Sequence, residues 1–301
     1  MVTFLAHTIR ITPWVFLRML PAYAVFLFAL YFVYGREMDP VVRWFLALAT
    51  ISPSMSFLVL IALRSGLVQL KVSAPIHPPA IFKGLGRLAG FQWAILMIVQ
   101  LVIYAPMIWA LETYGGLPLT TNWMLTLVGL RDFVISNNTD SIHPAFGYAI
   151  MAYAIPYGIS AAILGTAMAG TAATVVRKPP RIDAFWGFGH RWFSLLLLYV
   201  PVAFILWGGV VIAYQEGISQ YFFQLVPSSI LAAILPIYLV NFLWLPIFAA
   251  GASVAYAQNQ QRIEEQRQAE LDEMIAGAQP MPDLKALRQA RQERQSTGRG
   301  F

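Results

Sequence analysis

The sequence predicts an all-α fold, a polytopic transmembrane helical bundle, and three observations predict it. Of 301 residues, 58% are hydrophobic and only 11% are charged, and the mean hydropathy is +0.64; soluble domains carry about a quarter of their residues as charges. Apolar runs of about 20 residues, the length a helix needs to cross the hydrocarbon core, recur along the whole chain. Lys and Arg are confined largely to alternate connections, the asymmetry that orients a membrane protein. This composition excludes a soluble enzyme, a disordered chain, a coiled coil and a free nucleic-acid binder. The absence of cysteine excludes disulfides, thiolate metal sites, covalent haem attachment and a cysteine nucleophile.

Backbone polar groups cannot stay unpaired in lipid, so each apolar run is read as a helix. Six spans follow in order. The first runs from Pro21 to Tyr34, extended back to about Trp14, and is expected to be retained because no small-residue cleavage site follows it. The others are Trp44 to Leu63, Leu88 to Leu111, Ala145 to Val176, Trp192 to Tyr214 and Ser229 to Tyr256. The fourth and sixth exceed what a bilayer needs, which predicts tilt or projection beyond it. Of the 20 Lys and Arg, 17 fall at the N-terminus, in Arg64 to Arg87, in Arg177 to Arg191 and in the tail, leaving Arg36, Arg43 and Arg131 opposite. Both termini are therefore expected to be cytoplasmic. The net charge of +6 is explained by this asymmetry, so no nucleic acid is expected as a partner. Trp14, Trp44, Trp109, Trp186, Trp192 and Trp244 lie near span ends, where amphipathic rings collect.

A duplication underlies the spans. Pro78-Pro79-Ala80-Ile81 with Phe82-Lys83-Gly84-Leu85-Gly86-Arg87 matches Pro179-Pro180-Arg181-Ile182 with Phe185-Trp186-Gly187-Phe188-Gly189-His190. Each copy follows an inward-running span and precedes an outward-running one. The pattern predicts three helical hairpins, the first diverged. Pro53, Pro156, Pro236 and Pro246 fall inside inward-running spans, where they kink helices; bundle packing and a broken-helix binding site both fit them.

Candidate residues are few. Gly84 to Gly90 has three residues between its second and third glycines and no preceding strand, so it is not a dinucleotide fingerprint. Lys83, Arg87, Arg181, His190 and Arg191 stand at the headgroup level and could hold anionic lipid phosphates or serve only as topology-setting charges. The four histidines share no helical spacing, which argues against haem or metal, and no cofactor is expected. The deepest polar groups are Gln92, Gln100 and Asn241; Gln100 and Asn241 could bond each other across helices. In the fourth span Gly158, Ala162, Thr166 and Gly170 recur every four residues beside Ala161, Gly165 and Ala169. Such a face admits close approach of another helix, either in this chain at Ala249 to Ala255 or in a second subunit. Asn122 to Ser136 suits an interfacial helix, followed by the formal sequon Asn137-Asn138-Thr139.

The chain divides into a six-span domain, 1–257, and a polar helical tail, 258–301. The tail is predicted to continue the sixth span as a solvated helix, to break at Gly277 and the Pro280/Pro282 pair, and to restart with Asp283 capping Leu284 to Arg294. The hairpins and the PPxI and FxGΦG repeat resemble bacterial six-span membrane proteins, including the membrane region attached to some glycerophosphodiester phosphodiesterases; that resemblance implies an inner-membrane location and no activity. The expectation is a non-catalytic membrane subunit, scaffold or assembly factor, not an enzyme, with membrane lipids and a membrane-protein partner or a second copy as its contacts. A channel or a lipid or small-solute transporter is the alternative.

Overall fold

The structure, a computed structural model, describes residues 1–36, 38–72, 144–174, 187–215 and 229–277, with single positions between 85 and 113. Most of the third span, the Pro78 to Arg87 element apart from Leu85 and Gly86, Arg181, the 122–136 segment and the 284–294 segment lie outside the described residues. Among the described residues there are helices and no strand: α1 (Val2–Tyr34), α2 (Pro40–Leu46), a π turn (Ala47–Ile51), α3 (Ser52–Gln69), α4 (Pro144–Thr174), α5 (Trp192–Gln215) and α6 (Ser229–Gly277). Among the described residues, five helical stretches are long and apolar enough to cross a membrane: Val2–Tyr34, Ala49–Gln69, Ala154–Thr174, Trp192–Gly209 and Tyr238–Ile275. The chain is thus an all-helical, multi-pass membrane protein. Met1–Ala257 forms one compact unit and Gln258–Phe301 another.

The first helix is longer than its sequence suggests. It starts at Val2 and passes through Pro13 and Pro21 because its buried stripe, Phe4, Thr8, Ile11, Val15, Met19, Tyr23, Phe26, Leu30 and Val33, continues across both at intervals of three or four. Packing along such a stripe outweighs the local loss of one backbone bond per proline. The opposite face, including Ile9, Leu17, Val25 and Phe28, is exposed and equally apolar, as a lipid-facing helix requires.

The second span departs from a straight helix. Asp39 caps α2, its Oδ1 accepting from the backbone N–H of Val41 at 2.8 Å and of Val42 at 3.3 Å, with Pro40 at the first helical position, where a missing N–H costs nothing. Pro53 cannot donate to the carbonyl four residues earlier, and the π turn lies immediately upstream, where widening of the ladder absorbs the break. At its other end α3 closes with Val72 N–H bonded to the Leu67 carbonyl and Lys71 N–H to that of Val68, both at 3.0 Å. Lys71 adopts φ +59° there, the left-handed position usually given to glycine. Proline is not peculiar to the spans expected to run inward, since α1 contains Pro13 and Pro21 and α5 contains Pro201.

Hydroxyls inside the bundle fall into two groups. Thr8, Thr12, Thr50, Ser54, Ser65, Ser160 and Thr171 each bond the carbonyl four residues back in their own helix, which satisfies the donor without a neighbour. Tyr23, Thr166, Tyr199 and Ser253 instead reach the backbone of another segment.

Within Met1–Ala257, α1 packs on α3, α3 on α4 and α4 on α5. The part of α6 from Trp244 to Tyr256 is almost wholly buried and joins the same core. Trp14 and Trp192 are half exposed, whereas Trp244 retains only 4% of its surface. Trp244 is therefore a core residue, not a headgroup anchor: it lies about four turns inside α6, among Tyr157, Tyr199 and Phe248.

Candidate functional site

The small-residue face of α4 is occupied by the same chain. Gly158, Ala162, Gly165, Thr166, Ala169 and Gly170 are all buried. A Cβ built on Gly158 would lie 2.9 Å from the Cα of Val200 on α5, so the two backbones touch there. A Cβ on Gly165 would meet Ala252 Cβ and Leu195 Cδ1 at 3.5 Å, an ordinary contact. Thus α4 presents its small residues to α5 and to the Ala249–Ala255 stretch of α6, and the point of closest approach is Gly158, not the Gly165 ladder beside it.

The same device recurs on the neighbouring helices. On α6, a Cβ at Gly251 would fall 2.7 Å from the Tyr199 hydroxyl oxygen; on α3, one at Gly66 would fall 2.8 Å from Ser253 Cβ. Close backbones bring donors to carbonyls. Tyr199, fully buried, donates its hydroxyl to the Phe248 carbonyl at 2.6 Å, and Ser253 donates to that of Leu63 at 3.2 Å. Arg64, 7% exposed, donates Nη1 to the Ala173 carbonyl at 3.5 Å, one of the terminal carbonyls that α4 itself leaves unpaired. Sequence reasoning treated Arg64 as a topology charge; its place within a continuous apolar run, before Ser65-Gly66, was the signal for a structural role.

A narrow crevice, too small to hold a water molecule, lies beside this seam, lined by Tyr157, Ala203, Leu206, Trp207, Val240, Asn241 and Trp244. Asn241 Oδ1 accepts from the Tyr157 hydroxyl at 3.5 Å, while Gln100, its expected partner, lies outside the described residues. Tyr157 and Trp244, with ring centroids 5.0 Å apart, wall the crevice on one side, and Trp244 packs in turn on Tyr199 at 5.4 Å.

The second FxGΦG copy is a left-handed turn fastened to α4. Gly187 and Gly189 adopt φ of +65° and +71°, which a side chain disfavours, and Arg191 follows at +56°. His190 N–H bonds the Gly187 carbonyl at 2.8 Å and Trp192 N–H that of Gly189 at 3.1 Å. The turn is tied to α4 through Gly189 N–H to the Ile163 carbonyl at 3.3 Å and through the Thr166 hydroxyl to the His190 carbonyl at 3.4 Å. Of the phosphate candidates, the structure places His190, half buried, and exposed Arg191 on this one turn; Lys83, Arg87 and Arg181 lie outside the described residues. Compared with known proteins, the chain matches no family model, no curated protein and no solved structure at a significant level.

Proposed function

We propose that the chain is a non-catalytic integral membrane subunit, a scaffold or assembly factor around which a membrane complex is built. The observation that carries this reading is the interlocked seam: Gly66, Gly158 and Gly251, on three different helices, each face a neighbour that leaves no room for a methyl group. Packed cores are not continuously deformable, and a frame pinned at three close glycine contacts, one of them backbone against backbone at Gly158 and Val200, suits holding partners in place. In this reading the bundle has six spans in three hairpins, related by the PPxI and FxGΦG repeat, in a bacterial inner membrane with both termini cytoplasmic. Lys83, Arg87, Arg181, His190 and Arg191 then form a basic collar for anionic headgroups.

The test is purification of the tagged full chain in mild detergent, followed by identification of whatever co-elutes at fixed stoichiometry. A stoichiometric membrane partner supports the scaffold, and a homogeneous chain carrying lipid alone counts against it. The polar Tyr157–Asn241 pair inside the bundle favours a second reading, a channel or a lipid or small-solute transporter; substrate-dependent flux in reconstituted vesicles, abolished by Asn241→Leu, would replace the first reading with that one.

A further inference from the structure

The extension of α6 beyond the membrane unit carries an apolar stripe that calls for a cover. Leu271, Met274 and Ile275 are 52%, 63% and 70% exposed, and they fall at three- and four-residue spacing, with half-exposed Ile263 about two turns earlier. These residues sit in water-adjacent sequence, not in an apolar run, so lipid is not their natural surroundings. Charge is divided sharply along this unit. Residues 258–277 hold five acids against two bases, and residues 278–301 hold five bases against two acids.

We propose that the basic C-terminal segment, Leu284 to Arg294, is the occupant: it folds back as an antiparallel helix on the stripe, making an αα-hairpin within Gln258–Phe301. Three observations agree on this segment. Six residues, 278–283, separate the two stretches, within the usual length of a helix–helix connection, and they include the breakers Pro280 and Pro282 with Asp283 as a cap. In the antiparallel register Leu284 comes level with Ile275 and Leu287 with Leu271 and Asp272. Arg288 then comes level with Glu270, and Arg291 and Arg294 come within a turn of Glu264, the two acids that flank the stripe. A helix of this length is marginal alone, and the stripe supplies the apolar contact it lacks.

Because the chain has no cysteine, spin labels can be placed without altering a native thiol. The full-length Gln268→Cys/Gln289→Cys protein, in nanodiscs of neutral lipid, should give one narrow distance distribution below about 25 Å, since packed helix axes lie roughly 10 Å apart. A continuous helix would put the labels about 32 Å apart. The short population should persist on dilution with unlabelled protein, fall several-fold in Glu264→Lys/Glu270→Lys, and return when Arg288→Glu/Arg291→Glu is added. Disappearance on dilution would mean that a second copy covers the stripe and would overturn the proposal. A broad or long distribution in neutral nanodiscs overturns it too, whether or not anionic lipid then immobilises the segment.

Discussion

The two halves of α6 within the membrane unit hold their neighbours by opposite means. Its earlier half presents large rings to α1: Phe242 lies 4.8 Å from Phe16 and 4.1 Å from Tyr23, and Tyr238 lies 5.2 Å from Phe26. Its later half presents Ala249, Gly251, Ala252 and Ser253 to α3, α4 and α5. Lipid tails are as apolar as leucine, so neither interface is held by exclusion of water; both depend on dispersion and on backbone hydrogen bonds. Rings reach across a wide gap and can re-pack, whereas small residues let main chains meet and leave nothing that can move aside. The comparison teaches that within one helix one end can be forgiving and the other exacting.

The sharpest way to break that comparison is at the large residue that fills the exacting seam. Tyr199→Ala should cost roughly 3–5 kcal/mol, the range for removing a large buried side chain, read as a shift in the midpoint of a denaturing-detergent titration of the purified chain. A shift equivalent to less than about 1 kcal/mol would show that the exacting end is soft. Next in size, Gly158→Leu should cost roughly 1–3 kcal/mol, while Gly165→Ala, with its new methyl at an ordinary contact distance, should leave the midpoint unchanged. Equal losses from the two would erase the distinction between the touching point and the ladder beside it. At the forgiving end, Phe242→Leu should lose about 1 kcal/mol or less by thermal melting in detergent; a loss matching Gly158→Leu would mean that the rings are as intolerant as the seam. Smallest of all, Tyr199→Phe should cost about 0.6 kcal/mol, typical for a single hydrogen bond between membrane helices. The same titration showing no loss would assign the role of Tyr199 to its ring alone.

Much of the bundle was legible in the sequence because bilayer thickness imposes run length. The boundaries of α4, α5 and the start of α6 agree with hydropathy to within a few residues. Run length is blind to what happens before an apolar run begins, and α1 starts a dozen residues earlier than Trp14 because its buried stripe continues through polar neighbours such as Thr8 and Arg10. Nor does it resolve the second span, where one proline converts a straight helix into α2, a π turn and α3. The small-residue periodicity of α4 pointed to a close helix contact, but spacing gives no distance, so it could not separate Gly158 from Gly165. The role of Tyr199 was invisible for a related reason: it bonds a carbonyl, and a carbonyl belongs to every residue.

The division of hydroxyls has a consequence for biosynthesis. Thr8, Ser65, Ser160 and their like carry their own acceptor, so those helices can enter the bilayer one at a time without exposing a thirsty donor. Tyr23 and Tyr199 wait for acceptors that both lie on α6, the carbonyls of Tyr238 and Phe248. While α6 is still emerging from the ribosome, the earlier helices form an inserted but unfinished set, and its arrival closes two open bonds in a single step. A half-made chain therefore differs from a finished one in polar groups facing lipid, a mark that membrane quality control can read.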